Sequence, residues 1–295
     1  MRKTAGSPIC SEVWSRPIDN QTERDPQRAT GHSGVLRAHG VTDKGRVRQI
    51  NEDCFLVDES LRLCVIADGM GGHKAGEVAS RLAVEAVGDY IREAFNAPHN
   101  PEDTGAWPYG FEPRLSRAGN ILRTAIHIAN VQVLETALAA QECSGMGTTI
   151  VAALLVGDTL SVAHVGDSRL YVYCQDQLRQ LTLDDSWVAS VMAEDPKVDL
   201  ASLVHHPMRN ALTNAVGALA GTEVHVIEER LVGGEFIALT TDGVHGVLDE
   251  RRIGTVLSEG WDPAAMATNL VRAALARGSQ DNCTAVVAHY RELVD

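Results

Sequence analysis

Short apolar runs rich in Val, Leu, Ile and Thr recur along the chain from about Leu36 onward, each bounded by a Gly or Asp turn. They predict strands over Val35–Val41, Cys54–Val57, Leu61–Ala67, Thr148–Val156, Thr159–Val165, Leu170–Cys174, Val224–Leu231, Phe236–Thr240 and Cys283–Tyr290. Turns such as Val156-Gly157-Asp158-Thr159 join neighbouring strands as hairpins. Longer stretches predict helices over Ala75–Phe95, Leu115–Ala140, Asp184–Ala193, Glu250–Ser258 and Pro263–Ala276. In the second of these, Leu115, Ala118, Ile121, Leu122, Ala125, Ile128 and Ala129 share one stripe. The strands come in hairpin clusters and the helices in pairs, not in the strict alternation of a parallel sheet. The pattern therefore predicts an α+β fold of antiparallel sheets covered by helices. Asn96–Pro113, with four prolines, reads as an exposed loop between the first two long helices.

No repeat or linker divides the pattern, so 34–295 is expected to be one domain. Residues 1–33 carry no apolar leader and are rich in Ser, Thr, Pro, Asp, Gln and Arg, the composition of a disordered tail. An apolar content of 44% allows a sizeable core. The net charge of −13 argues against nucleic acid or an anionic membrane as the main partner, and no apolar run reaches a membrane span. The six cysteines form no C-x-x-C pair and read as reduced thiols of a cytoplasmic protein.

The chemistry begins where the apolar runs stop. "CVIADGMGGHKAGE" climbs through Cys64–Ala67 and ends on Asp68, followed by Gly69, Gly71 and Gly72. "FIALTTDG" ends on Asp242, "LSVAHVGDSR" on Asp167, and Asp281 stands just before the last strand. One Asp-Gly alone reads as a turn. Four strand-end carboxylates brought together would repel, and such a group needs a cation. Oxygen donors without a Cys or His pattern favour magnesium or manganese. Gly69 lacks a Cβ, so its carbonyl can approach a metal closely. Upstream, Arg48 precedes Asn51, Glu52 and Asp53, a plausible guanidinium clamp for a phosphate.

"RQINEDCF", "ADGMGGHKAGEVAS", "GMGTTIVAALL", "AHVGDSRLYVY", "LTTDGVHGVL" and "QDNCTAVV", in that order and spacing, resemble the bacterial branch of the metal-dependent protein phosphatases, type 2C. The resemblance covers about residues 35–290. It implies a central antiparallel β-sandwich flanked by helices on both sides, a four-layer αββα fold. It also implies hydrolysis of phosphoserine and phosphothreonine proteins by a water bridging two divalent metals, Mn2+ or Mg2+. In this reading Asp68 bridges both metals, the Gly69 carbonyl binds one, and Asp242 and Asp281 complete the ligands. Glu52 and Asp53 hold metal-bound waters, Arg48 grips the phosphate, Asn282 helps hold the strand end, and Asp167 supports a third, weaker metal. The expected partner is a cognate serine/threonine kinase, and the enzyme is expected to act as a monomer.

The chain departs from the family pattern in places. Gly246 stands where some members carry a further aspartate, Met70 where some carry a histidine, and Asp185 where a histidine is frequent. His73 reads as a loop or helix-start residue, and 184–214 resembles a mobile flap in which neither His205 nor His206 is given a chemical role. Two other readings compete. A regulatory copy that had lost its chemistry should lack at least one of Arg48, Asp68, Asp242 and Asp281, and all four are present. Against a small-molecule phosphodiesterase stand only the 4% aromatic content and the lack of a base-stacking groove.

Overall fold

The computed structural model describes residues 34–72, 75–96, 107–195, 197–199, 203 and 206–292. The expected tail at 1–33, His73, His205 and residues 97–106 of the expected loop lie outside them. The first strands are β1 (Val35–Asp43), β2 (Asp53–Asp58) and β3 (Leu63–Met70), followed by helices α1 (Ala75–Asn96) and α2 (Arg117–Ala139). Strands β4 (Gly147–Thr148), β5 (Ile150–Val156), β6 (Thr159–Val165), β7 (Arg169–Cys174) and β8 (Gln177–Gln180) lead to α3 (Trp187–Glu194). The chain continues through β9 (His225–Arg230), β10 (Phe236–Thr240), α4 (Asp242–His245), α5 (Glu250–Ser258), α6 (Pro263–Ala276) and β11 (Cys283–Arg291).

The strands form two antiparallel sheets, ordered β1-β11-β10-β7-β8 and β2-β3-β5-β6-β9, with β4 extending the end of β3. Central strands such as β3, β5, β10 and β11 are buried along nearly their whole length. Both faces are therefore covered, and their sequences read as continuous apolar runs. Leu63, Val65, Ile150 and Leu154 share a core with Ala79, Ile91, Ile121 and Leu122 of α1 and α2. Phe236, Ala238, Ala285 and Val287 pack with Ile253, Met266 and Leu270 of α5 and α6. The alternate residues, among them Ile66, Val151, Leu239 and Val286, are also buried, and β11 approaches β2 and β3 across the sandwich. The four-layer α+β architecture is as the sequence predicts.

The departures are local. Helix α2 starts at Arg117 because the Ser116 side chain caps it, accepting from the Gly119 N–H; α3 starts at Trp187 because Ser186 does the same with Ala189. The polar edge strand β8 carries no apolar run and escapes the pattern. The expected exposed loop is corrected at its C-terminal end: Trp107 is buried against α1 and α2 and packs on Phe111, with ring centroids 5.3 Å apart. Proline density made this stretch look solvent-facing, but one large aromatic suffices to anchor it.

Truncating Ile66, fully buried between the sheets, to Ala is expected to lower unfolding free energy by about 2–5 kcal/mol. Trp261→Ala, at a side chain 81% exposed, should change it by less than about 0.5 kcal/mol. Urea denaturation of the two variants checks the contrast.

Candidate active site

Asp68 lies near the end of β3 and Asp167 just past β6, two strands of one sheet; Asp242 follows β10 and Asp281 precedes β11, two strands of the other. All four line a cavity of about 590 Å³ at the strand ends, with Arg48, Glu52, Gly69 and Asn282. Asp53 does not line it. It begins β2 directly opposite Asp68 in register and is buried behind the cavity.

The scaffold around these carboxylates is specific. The Asp68 N–H donates to Thr149 Oγ1 at 3.0 Å, and the Asp68 carbonyl accepts from the Thr149 N–H at 2.9 Å and Thr148 Oγ1 at 2.8 Å. Thr149 Oγ1 in turn contacts Ser168 Oγ at 2.8 Å, linking the Asp68 and Asp167 segments. Asn282 ties down the loop that carries Arg48. Its Oδ1 accepts from the Glu52 N–H at 2.8 Å, and its Nδ2 donates to the carbonyls of Lys44 and Ile50. Two glycines are required by close approach. A Cβ on Gly69 would stand 2.0 Å from the Gly76 carbonyl oxygen, and one on Gly243 1.8 Å from that of Asn282.

Charge dominates the site. Burial, reinforced by Asp53, Asp242, Asp167 and Asp281, holds the Asp68 carboxyl well above the usual carboxylate range. Burial pushes Asp53 up to about 7, although it accepts from Thr284 Oγ1 at 2.6 Å and Thr241 Oγ1 at 2.9 Å. Asp167 is pushed to about 7 by burial, then by Asp242 and Asp184; Asp242 and Glu52 are also raised, each chiefly by burial. Arg48 Nη2 donates to Asp281 Oδ2 at 2.6 Å, and this bond raises the guanidinium further.

The donor set fits hard divalent cations. Among the described residues, Glu52 Oε1, Asp53 Oδ1 and Asp242 Oδ1 are buried without a hydrogen-bond partner, and no Cys or His lines the cavity. Buried, unpartnered carboxylate oxygens are costly unless a cation satisfies them. No three of these side chains, among the described residues, already close to ligating spacing. Asp281 is drawn to Arg48 instead.

One side of the cavity is formed by the segment following β8. Asp184 leaves it to grip Arg169 with both oxygens, at 2.9 and 2.7 Å. Asp185 is a knot. Its Oδ2 accepts from the Gly166 N–H and from Asn214 Nδ2, both at 2.9 Å, and its Oδ1 pairs with His225 Nε2 at 3.0 Å. The Asp185 N–H donates to the Gly166 carbonyl, and its own carbonyl accepts from the Thr213 N–H. Both ends of the segment are thereby fixed beside the Asp167 turn. Further along, the His206 ring stacks on Trp187 with centroids 4.1 Å apart, and Met70 lines the cavity.

Residues 44–278 match the family described as Protein phosphatase 2C. The chain belongs to that family. The phosphatase is 30% identical over 255 residues to the serine/threonine phosphatase stp of Listeria welshimeri, covering 85% of this chain and 95% of the relative. It is 34% identical over 262 residues to the serine/threonine protein phosphatase PstP of Mycobacterium tuberculosis, covering 86% of this chain and 45% of that longer one. Among solved structures, the M. tuberculosis phosphatase PstP/Ppp superposes with a TM-score of 0.73 at 30% identity, over 86% of this chain and 98% of that one. The catalytic domain of a PstP in complex with two manganese ions gives 0.73 at 28% identity, over 88% and 100%.

The sequence of the phosphatase marks the carboxylates and Asn282 but not the threonines that support them. Thr149, Thr241 and Thr284 follow or begin apolar runs and look like ordinary strand residues. Their partners lie far along the chain, and no local signal marks them.

The raised carboxylates predict an unusual pH response of the chelator-treated protein. Asp167 keeps its proton in the folded state up to about pH 7, whereas the unfolded chain releases it near 3.8. The folded state binds more protons between these values, so stability falls as pH rises through that window. The contribution of Asp167 is expected to drop by about 2 kcal/mol between pH 5.5 and pH 8. Urea denaturation at both pH values should show the drop, and Asp167→Asn should remove its share.

Proposed function

We propose that this protein removes phosphate from phosphoserine and phosphothreonine in other proteins, using a pair of manganese or magnesium ions held by Asp68, the Gly69 carbonyl, Asp242 and Asp281. As a member of the protein phosphatase 2C family it is a serine/threonine protein phosphatase, a phosphoric monoester hydrolase. The observation that carries the assignment of parts is the set of buried carboxylate oxygens left without partners at the ends of both sheets. The relative crystallised with two manganese ions supports the choice of metal. When bound, the cations supply Lewis-acid chemistry, acidifying a water and offsetting charge on the phosphoryl oxygens.

The protein's own groups do the rest. Asp53 is oriented by Thr241 and Thr284, which hold its unpartnered Oδ1 in a fixed direction, and the backbone of Glu52 is tied to Asn282, which places its side chain at the cavity wall. Glu52, on the cavity wall, is suited to orienting a metal-bound water, and Asp53 supports the same water network from behind the wall. Arg48 stands at the cavity wall with one of its five N–H donors on Asp281, leaving others for a phosphate oxygen. Asp167 is the base of a third, weaker cation site, poorer in carboxylates because Gly246 offers none. The reading includes a cytoplasmic enzyme acting as a single copy opposite a serine/threonine kinase. No helix among the described residues is long and apolar enough to cross a membrane.

Hydrolysis of a phosphothreonine peptide is expected to require manganese and to stop with a chelator. Asp242→Asn should lower kcat at least about a hundredfold with unchanged circular dichroism. Full activity after chelation would overturn the two-metal reading.

Asp167→Ala is expected to leave two tightly bound manganese ions in a calorimetric titration, yet lower turnover and raise the manganese needed for full activity. Titrations and metal dependence identical to wild type would reduce Asp167 to a turn residue.

A further inference from the structure

The catalytic cavity does not end at the carboxylates. A second cavity of about 1310 Å³ shares Arg48, Asp167, Asn210, Asp242 and Asp281 with it, so the two form one continuous trough. Large apolar side chains stand exposed along it. Val47, Leu183 (79% exposed) and Met192 line the second cavity, and Leu219 (69% exposed) lines the first. Scattered exposed apolar residues are ordinary. Here four of the ten large ones among the described residues fall on this trough, from four separate segments.

Helix α3, which carries Met192, extends the same point. Its sequence, WVASVMAE, carries no charge before Glu194, yet none of its residues is buried. Val188, Ala189, Met192 and Ala193 face the trough instead of a core. An apolar helix face turned to solvent beside an active site marks a binding surface. The cations complete the description. Arg48 is paired with Asp281 and Arg169 with Asp184, whereas Arg209, exposed on the trough, has no side-chain partner among the described residues. In a chain of net charge −13 it is a local site for an acidic group.

We infer that the trough binds the polypeptide flanking the phosphorylated residue, and selects substrates with a large apolar side chain beside the phosphoresidue and an acidic one within reach of Arg209. This rests on the phosphatase reading above and adds its substrate preference. A small phosphate ester needs only the catalytic cavity, whereas a protein substrate must also lie along the trough.

The test compares p-nitrophenyl phosphate with three phosphothreonine peptides of equal length, all with manganese. Their flanks are apolar and acidic, neutral polar, or basic. The apolar and acidic peptide is expected to exceed the polar one about tenfold in kcat/KM, mainly through KM. The double variant Leu183→Ser/Met192→Ser should bring it down to the polar peptide's level, leaving p-nitrophenyl phosphate turnover within about twofold of wild type. Arg209→Glu should lower it as well, and raise the basic peptide. Equal kcat/KM for all three peptides, with p-nitrophenyl phosphate hydrolysed, would overturn this inference alone. Concentration-dependent self-association of the wild type that the double variant abolishes would also overturn it, assigning the trough to a second copy. A wild type that turns over none of the four substrates would overturn the phosphatase reading and this inference with it.

Discussion

The removal of clustered carboxylates from water, with their mutual repulsion added to it, is the constraint around which this structure is organised. Asp53, Asp68, Asp167, Asp242 and Asp281 come from the ends of strands in both sheets, so packing the sandwich also packs negative charge. The fold meets this in several ways at once. Thr241 and Thr284 donate to Asp53, Arg48 sits on Asp281, and burial favours the protonated forms of Asp53, Asp68 and Asp167. What is left over, three buried oxygens without partners among the described residues, is a standing demand for cations. The same feature that makes the metal-free site costly makes it selective for hard divalent ions.

Catalysis and recognition are divided between different kinds of structure. The acidic residues sit at the ends of buried strands, fixed by backbone hydrogen bonds and by glycines that no other residue could replace. The apolar rim sits on the loop before β2, on the connection after β8 and on α3, where side chains can change with little effect on the core. In the proposed reading, a phosphoryl group meets the first set in every substrate, and a polypeptide meets both.

Much of this was legible in the sequence because it is local. An apolar run that stops on Asp242-Gly243 or Asp68-Gly69 shows its strand and its functional end within a few residues. Some boundaries moved where a cap decided them, as at Ser116 and Ser186, and the strand expected over Thr148–Val156 is divided into β4 and β5. The rest depends on partners distant in the chain. Nothing near Arg48 announces that it will pair with Asp281, 233 residues on. Nothing near Asp53 announces hydroxyls from Thr241 and Thr284. Trp107, set among prolines, looked exposed until the helices it packs against were in place. Asp185 stood out in the sequence only as a departure from a family pattern, and its partners on Gly166, Asn214 and His225 give that departure its physical content.

Because Asp185 gathers both ends of the span from 186 to 213 at one point, that span is a closed loop whose closure is already made at its base. Lengthening such a loop costs little, since closure entropy grows only with the logarithm of its length. Its middle is therefore free to drift, gain residues or lose them over evolutionary time while its base keeps the Asp167 turn in register. New substrate preferences can arise there without renegotiating the chemistry.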